Sequence, residues 1–250
     1  MKQVYFRFYA ELNDFLPLIK RQRTFAHCFL TTATVKDMIE SQGVPHTEVD
    51  LILANGRSVD FSYPVQAGDR ISVYPVFESI DISPLVRVRP EPLREPCFVL
   101  DIHLGRLARY LRMLGFDTLY RNDYQDEELA RVSSTEKRIL LTRDRGLLKR
   151  SLVTHGYCIR ETNPRRQVIE VVRRFDLTGS IVPFRRCIHC NGLLQVVDKE
   201  AISEHLLPHT RQTFHEFRRC QSCRRIYWRG SHYQRMQHFI EGVLRELGPN

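Results

Sequence analysis

No run of about 18 apolar residues occurs anywhere in this chain, so no membrane-spanning helix is expected. The N-terminus, Met1-Lys2-Gln3-Val4-Tyr5-Phe6-Arg7-Phe8, alternates like a strand and meets charge too early for a signal peptide. A Gly-x-x-x-x-Gly-Lys-Ser/Thr loop is missing, and so is a Gly-x-Gly-x-x-Gly turn. Those gaps argue against nucleotide-triphosphate and dinucleotide chemistry. No Gly-x-Ser-x-Gly elbow is present to carry a serine nucleophile. Without an export signal the expected compartment is the cytoplasm, where thiols stay reduced.

Against that background four cysteines stand out. They form two pairs, Cys187-Ile188-His189-Cys190 and Cys220-Gln221-Ser222-Cys223, with 29 residues between them. In each pair a tight turn aims both sulfurs at one point. Two such knuckles supply the four thiolates that tetrahedral Zn²⁺ prefers, and a reduced compartment favours zinc over disulfides. A structural zinc ribbon is therefore expected around Cys187, Cys190, Cys220 and Cys223. The nearby His189, His205, His209 and His215 are read as structural or surface residues, because four Cys already fill a tetrahedron. Cys28, Cys97 and Cys158 stand alone and are expected to be small buried residues.

The 250 residues suffice for two or three small domains, and 42% hydrophobic with 27% charged residues is ordinary for a globular chain. The net charge of +9 is unevenly spread. Residues 1–86 carry 8 Lys/Arg against 10 Asp/Glu, whereas residues 87–250 carry 30 against 19. A basic body behind a slightly acidic head suggests a nucleic-acid partner for the second part, with a solvated surface as the bland alternative.

The first part, residues 1–83, reads as a small sheet around one helix. Strands are expected at Val4–Phe8, Arg23–Phe29, Leu51–Leu53 and Ile71–Val76. Thr34 should cap a helix whose inner face is Val35, Met38 and Ile39. Asn55-Gly56 is a hairpin signal. Residues 84–96 form a linker with Pro84, Pro90, Pro92 and Pro96, stiff and extended. The middle part, residues 97–177, alternates strand and helix. Strands are expected at Phe98–Leu100, Thr118–Tyr120, Ile139–Thr142 and Tyr157–Arg160. Leu104, Leu107, Ala108 and Leu111 form one helix face ending at Gly115. Another helix is expected at Glu127–Ser134 with Asp126 as a possible cap, and Asn163-Pro164 should open a further one. Repeated βα units imply an α/β fold with a parallel sheet. The last part, residues 178–250, holds the cysteine pairs and closes with a helix over Ser231–Leu247.

Parallel sheets place ligands beyond the carboxyl ends of their strands. Asp101 ends the first strand, Asp123 follows the second with Asp126, Glu127 and Glu128 just beyond, and Asp144 ends the third. A carboxylate cluster is costly unless cations neutralise it, and hard oxygen ligands select Mg²⁺ or Mn²⁺. Such ions activate water for attack on a phosphodiester. Taken singly, Asp126 and Asp144 could simply cap helices, and Asp101 could bond a loop. Arg106, Arg109 and Arg112 recur every third position along the helix after Asp101, with Arg143 and Arg145 flanking Asp144. They could hold phosphate or be a solvated face. Phe214, Phe217, Tyr227 and Trp228 lie among Arg218, Arg219, Arg224, Arg225 and Arg229, a mixture that suits base stacking or packing within the ribbon.

Two resemblances follow from these residues. Thr34-Val35-Lys36-Asp37, Asn55-Gly56, Gly68-Asp69-Arg70-Ile71 and Tyr74-Pro75-Val76-Phe77 resemble the ubiquitin-like β-grasp domains related to the ThiS and MoaD sulfur carriers. Those carriers end in a free Gly-Gly. Here Phe77-Glu78-Ser79-Ile80-Asp81 follows instead, so a recruitment or scaffold module with a protein partner is expected. Phe98-Val99-Leu100-Asp101, the series from Leu104 to Gly115, Asp126-Glu127-Glu128-Leu129 and Ile139-Leu140-Leu141-Thr142-Arg143-Asp144 resemble the Mut-seven C-terminal RNase family, a PIN-like nuclease joined to a zinc ribbon. The resemblance implies a metal-dependent RNase with RNA as partner and Asp101, Asp126 and Asp144 at the acidic site. Asp123, Glu127 and Glu128 are alternatives for the second position. A clear fourth acid after Asp144 is absent. That absence motivates a second expectation, a non-catalytic RNA- or ribosome-binding adaptor.

Overall fold

The computed structural model describes residues 1–75, 88 and 96–248. The Pro-rich linker lies almost wholly outside the described residues, and so does Val76, the expected end of the last head strand. In chain order the elements are β1 (Lys2–Phe8), β2 (Phe25–Phe29), α1 (Val35–Ser41), β3 (Leu51–Ala54), β4 (Arg57–Val59), β5 (Arg70–Tyr74), β6 (Phe98–Leu100) and α2 (Gly105–Met113). There follow β7 (Thr118–Tyr120), α3 (Asp126–Thr135), β8 (Ile139–Thr142), α4 (Arg145–Leu148), β9 (Gly156–Cys158) and α5 (Pro164–Arg174). The last are β10 (Leu194–Val197), α6 (Pro208–Thr213), β11 (Phe217–Cys220), β12 (Ile226–Trp228) and α7 (Ser231–Leu247). They divide into two compact units, Met1–Glu95 with Gln125–Cys158, and Pro96–Tyr124 with Ile159–Asn250.

In the first unit the head is a mixed five-stranded sheet in the order β2-β1-β5-β3-β4. β1 runs antiparallel to β2 and parallel to β5. Alternation in β1 sends Val4, Phe6 and Phe8 inward, where they are fully buried with Ile52, Ile71 and Val73. Each such side chain contributes roughly 1.5–3 kcal/mol. α1 begins in a reciprocal cap: the Thr34 hydroxyl oxygen accepts from the Asp37 N–H, and the Asp37 carboxylate accepts from the Thr34 N–H. It buries Val35, Met38 and Ile39, as the spacing predicts. The β3–β4 hairpin turns at Asn55 and Gly56, both with positive φ, which is why Asn-Gly stands there.

The same unit contains α3, α4 and the parallel pair β8–β9, in the register Leu140↔Gly156 and Thr142↔Cys158. The head grips this second element group through a short 3-10 turn, His46–Glu48. The fully buried Glu48 accepts the Cys158 N–H at 2.6 Å. His46 places Nε2 2.8 Å from the Val153 carbonyl and Nδ1 2.6 Å from Glu40. The Lys149 ammonium donates to the Glu40 carbonyl at 2.7 Å, and the Arg145 guanidinium lies 4.9 Å over the Phe15 ring.

In the second unit β6 and β7 run parallel, Phe98↔Thr118 to Leu100↔Tyr120. Phe98, Val99 and Leu100 are all fully buried, as a continuous apolar strand requires. α2 buries Leu107, Ala108 and Leu111 and is followed, two residues past its end, by Gly115, whose φ is +102°. A side chain there would collide with the Val182 carbonyl oxygen, so backbone approach and handedness both demand glycine. α5 opens as expected, with the Asn163 side chain accepting from the Arg165 and Arg166 N–H groups before Pro164. The ribbon is an antiparallel sheet, β10-β11-β12. α7 spans the expected residues and buries Ile240 and Val243, while Leu244 stays exposed. Phe239 stacks on Tyr110 with centroids 4.2 Å apart. Among the lone cysteines Cys158 is buried, whereas Cys28 is exposed, contrary to expectation. No helix among the described residues is long and apolar enough to cross a membrane.

Candidate metal centre and acidic residues

Two knuckles of identical backbone logic build the cysteine cluster. In the first, the Asn191 N–H donates to the Cys187 carbonyl, and in the second the Arg224 N–H donates to the Cys220 carbonyl. The residue after each pair, Asn191 and Arg224, takes positive φ, 72° and 63°, which closes the turn under the sulfurs. The next N–H, of Gly192 and of Arg225, bonds the sulfur of Cys190 and of Cys223. A side chain on Gly192 would come within 2.9 Å of the Cys220 sulfur, so that position must stay bare.

The four sulfurs lie within 4.8 Å of one another, and they form the one group of three or more His, Cys, Asp or Glu ligand atoms so gathered among the described residues. Sγ–Sγ distances are 3.6 Å for Cys187–Cys223 and 3.4 Å for Cys190–Cys220. Burial and the neighbouring sulfurs push the Cys223 thiol up to about 12. At Cys190 burial also raises the value, but the Gly192 N–H and the other sulfurs outweigh it and bring the thiol to about 7. Without a cation this packing sets four acidic groups against each other. A soft, tetrahedral dication resolves the conflict, so the donor set fits zinc. The Tyr227 hydroxyl lies 3.0 Å from the Cys187 sulfur, a supporting contact that the Cys-x-x-Cys spacing does not reveal.

The ribbon is fastened by a residue read differently from sequence. Arg106 and Arg109 are exposed on α2, but Arg112 is 3% exposed, which corrects the expectation of a solvent-facing stripe. Its guanidinium donates to the carbonyls of Thr118 at 2.9 Å and His189 at 2.8 Å, tying the first knuckle to α2 and β7. Burial lowers its pKa, while the nearby Cys190 and Cys187 sulfurs oppose that. The Asn191 side chain completes the joint: its Oδ1 accepts from the Thr118 N–H at 3.0 Å, and its Nδ2 donates to Asp117 at 2.9 Å.

The candidate acids sit as follows. Asp101 directly follows β6 in the second unit and is 8% exposed. Asp123 is exposed and held by Arg121 at 2.9 Å, which lowers its pKa. In the first unit Asp126 and Glu127 lie exposed in the first turn of α3. Asp126 is not its cap, because Gln125 holds that position. Arg150 reaches both acids, at 3.7 Å and 3.6 Å. Asp144 does cap α4: its Oδ1 accepts the Gly146 N–H at 2.7 Å and the Leu147 N–H at 3.4 Å. Both contacts fall on one oxygen of an exposed carboxylate. Arg143 and Arg145 on either side are exposed.

Comparison with known proteins bears on both halves of the chain. No curated protein and no solved structure gives a match. Two family models do. Residues 1–81 match the Mut7-C ubiquitin model, and residues 96–240 match the Mut7-C RNAse domain. The second match spans more than half of the chain, cysteine cluster and strand-end acids included, and the chain accordingly belongs to the Mut7-C RNAse domain family.

Proposed function

We propose that this protein is a metal-dependent ribonuclease, hydrolysing RNA phosphodiesters within the strand, with a zinc ribbon that helps to hold the RNA. The observation that carries the reading is the family match over 96–240, together with carboxylates directly after two parallel strands, Asp101 after β6 and Asp144 after β8. Asp101, Asp126 and Asp144 are the proposed ligands of Mg²⁺ or Mn²⁺, with Asp123 and Glu127 as alternatives for the second. Carboxylate oxygens are the hard donors that these ions take. When bound, the ion would supply Lewis acidity that activates water and offsets charge on the phosphate. The cap holds the Asp144 carboxylate in one orientation before substrate arrives. The exposed Arg106, Arg109, Arg143 and Arg145 give the RNA backbone cationic contacts on either side of the acids in sequence, and salt weakens such contacts.

Purified protein is expected to cleave RNA when Mn²⁺ or Mg²⁺ is added and to stop when the ion is withdrawn. Asp144→Asn keeps an oxygen that can cap α4 but removes the charge. It should lower the rate by about 10²-fold or more without lowering the melting temperature. Cleavage that survives this substitution at full rate would overturn the acidic site. Salt-sensitive RNA binding with no turnover under any divalent ion would instead support the non-catalytic adaptor.

A further inference from the structure

The cationic and aromatic segment that the acidic site leaves unused is the outer part of the ribbon. Residues 211–235 contain seven arginines, at 211, 218, 219, 224, 225, 229 and 235, against the single acid Glu216. All but the half-buried Arg219 are exposed. Four aromatic side chains lie among or beside them, and the structure separates their roles. Phe217 is 1% exposed and belongs to the core. Tyr227 is committed to the Cys187 sulfur. Phe214 is half-buried beside Trp228, with ring centroids 6.4 Å apart. Trp228 is 38% exposed at the end of β12.

The surroundings of Trp228 make it a rigid platform. It lies directly across the sheet from the buried Phe217 on the same face, and Phe214 sits 6.4 Å from its ring, so one side of the indole is held by packing. The chain turns at Gly230, where a side chain would come within 2.8 Å of the indole nitrogen. A large apolar ring left partly in water contributes little to folding at its open area. With arginines beside it in sequence, its open surface suits a ligand that is both polyanionic and aromatic. Unpaired nucleotides meet that description, because every base offers a π-face and every linkage a phosphate. Duplex RNA hides its bases in the stack and offers mostly shape and phosphate.

We propose that the ribbon binds single-stranded RNA by stacking a base on Trp228, with the surrounding arginines on the flanking phosphates. The inference deepens the ribonuclease reading and rests on it for the identity of the polymer. Trp228 is the sole tryptophan of the chain, so its emission reports on this place and no other.

The test titrates the full-length, zinc-loaded Asp144→Asn protein with a short oligouridine and, separately, with a blunt RNA duplex of equal length. Saturable quenching by the single strand, well beyond that by the duplex, is expected. Trp228→Ala should weaken single-strand binding, read by anisotropy of a labelled strand, about ten-fold or more, and Trp228→Phe should recover most of it. Zinc content and melting temperature of both variants should match the parent. Single-strand binding with unchanged emission, equal quenching by duplex, or unaltered affinity of Trp228→Ala would each overturn the platform. If cleavage by the parent chain fails while quenching and the Trp228 effect hold, the nuclease reading falls and the platform stands. If cleavage holds without them, the platform alone falls.

Discussion

Replacing Cys220 by serine is expected to release zinc and unfold the ribbon. Cys220 is fully buried, its sulfur lies 3.4 Å from that of Cys190, and its backbone carries β11 at the centre of the three-stranded sheet. The described ribbon has a thin apolar core of its own, with Phe217 and Ile202 among its few buried large side chains. Small folds of this kind draw their stability from the metal, on the order of 10 kcal/mol for a structural zinc site. Wild-type protein should carry one zinc per chain by elemental analysis. Cys220→Ser should carry almost none, and proteolysis should then cut between 187 and 228. The loss should also reach α2, because Arg112 and Asn191 bind the first knuckle to β7. One equivalent of zinc retained by Cys220→Ser would show that the other three thiols suffice.

The second large effect is expected in the first unit, at Glu48. Glu48→Ala removes the buried acceptor of the Cys158 N–H. Losing a buried hydrogen bond and its acceptor costs about 1–3 kcal/mol, and a chain of this size melts about 2–4 °C lower for each of them. Glu48→Gln retains an acceptor oxygen and should recover part of the loss. Amide hydrogen exchange supplies the specific readout. Glu48→Ala should speed exchange at Cys158 and in the neighbouring β9, whereas β1 and β5 of the head should keep their protection. Uniform loss of protection through the head would mean that Glu48 serves only the head's own fold. The expectation of a head acting as a module beside the nuclease gains a physical qualification here, since its 3-10 turn supplies polar partners to residues more than a hundred positions later.

What the sequence reveals divides along a line of locality. The cysteine cluster is readable because Cys-x-x-Cys spacing encodes a turn within four residues. The caps at Thr34, Asn163 and Asp144 are readable because each side chain bonds an amide two or three positions on. Arg112 is different. Steps of three residues on a helix of 3.6 per turn rotate backward by about 60° each. Arg106 and Arg109 therefore face water, while Arg112 has turned onto the face of Ala108 and Leu111, where it finds carbonyls to bond. A row of like residues at that spacing suggests a stripe but traces a spiral. Asp126 fails as a cap for a smaller reason, a one-residue difference in where α3 starts. Glu48 and His46 carry no local signal at all. Their partners, Cys158 and Val153, lie 110 and 107 residues away, and only the fold brings them together.

The candidate site is legible to the same degree. The positions of Asp101 and Asp144 directly after β6 and β8 follow from strand patterns that the sequence carries plainly. The aromatic residues of the ribbon are not separable by sequence, because Phe217, Tyr227 and Trp228 all sit in alternating strands beside arginine. The register puts Phe217 and Trp228 on one face and Tyr227 on the other; Phe217 on the central strand is buried, while Trp228 on the edge strand stays partly open.

The central claim is that a divalent ion and carboxylates hydrolyse RNA with water as the nucleophile. Mass spectrometry of the ends produced from a defined RNA tests it most directly. The account predicts linear phosphate ends, formed with Mn²⁺ or Mg²⁺ and missing when the ion is withheld. Cyclic 2′,3′-phosphate ends formed equally well without a divalent ion would mean that the RNA's own 2′-hydroxyl attacks, and would contradict it.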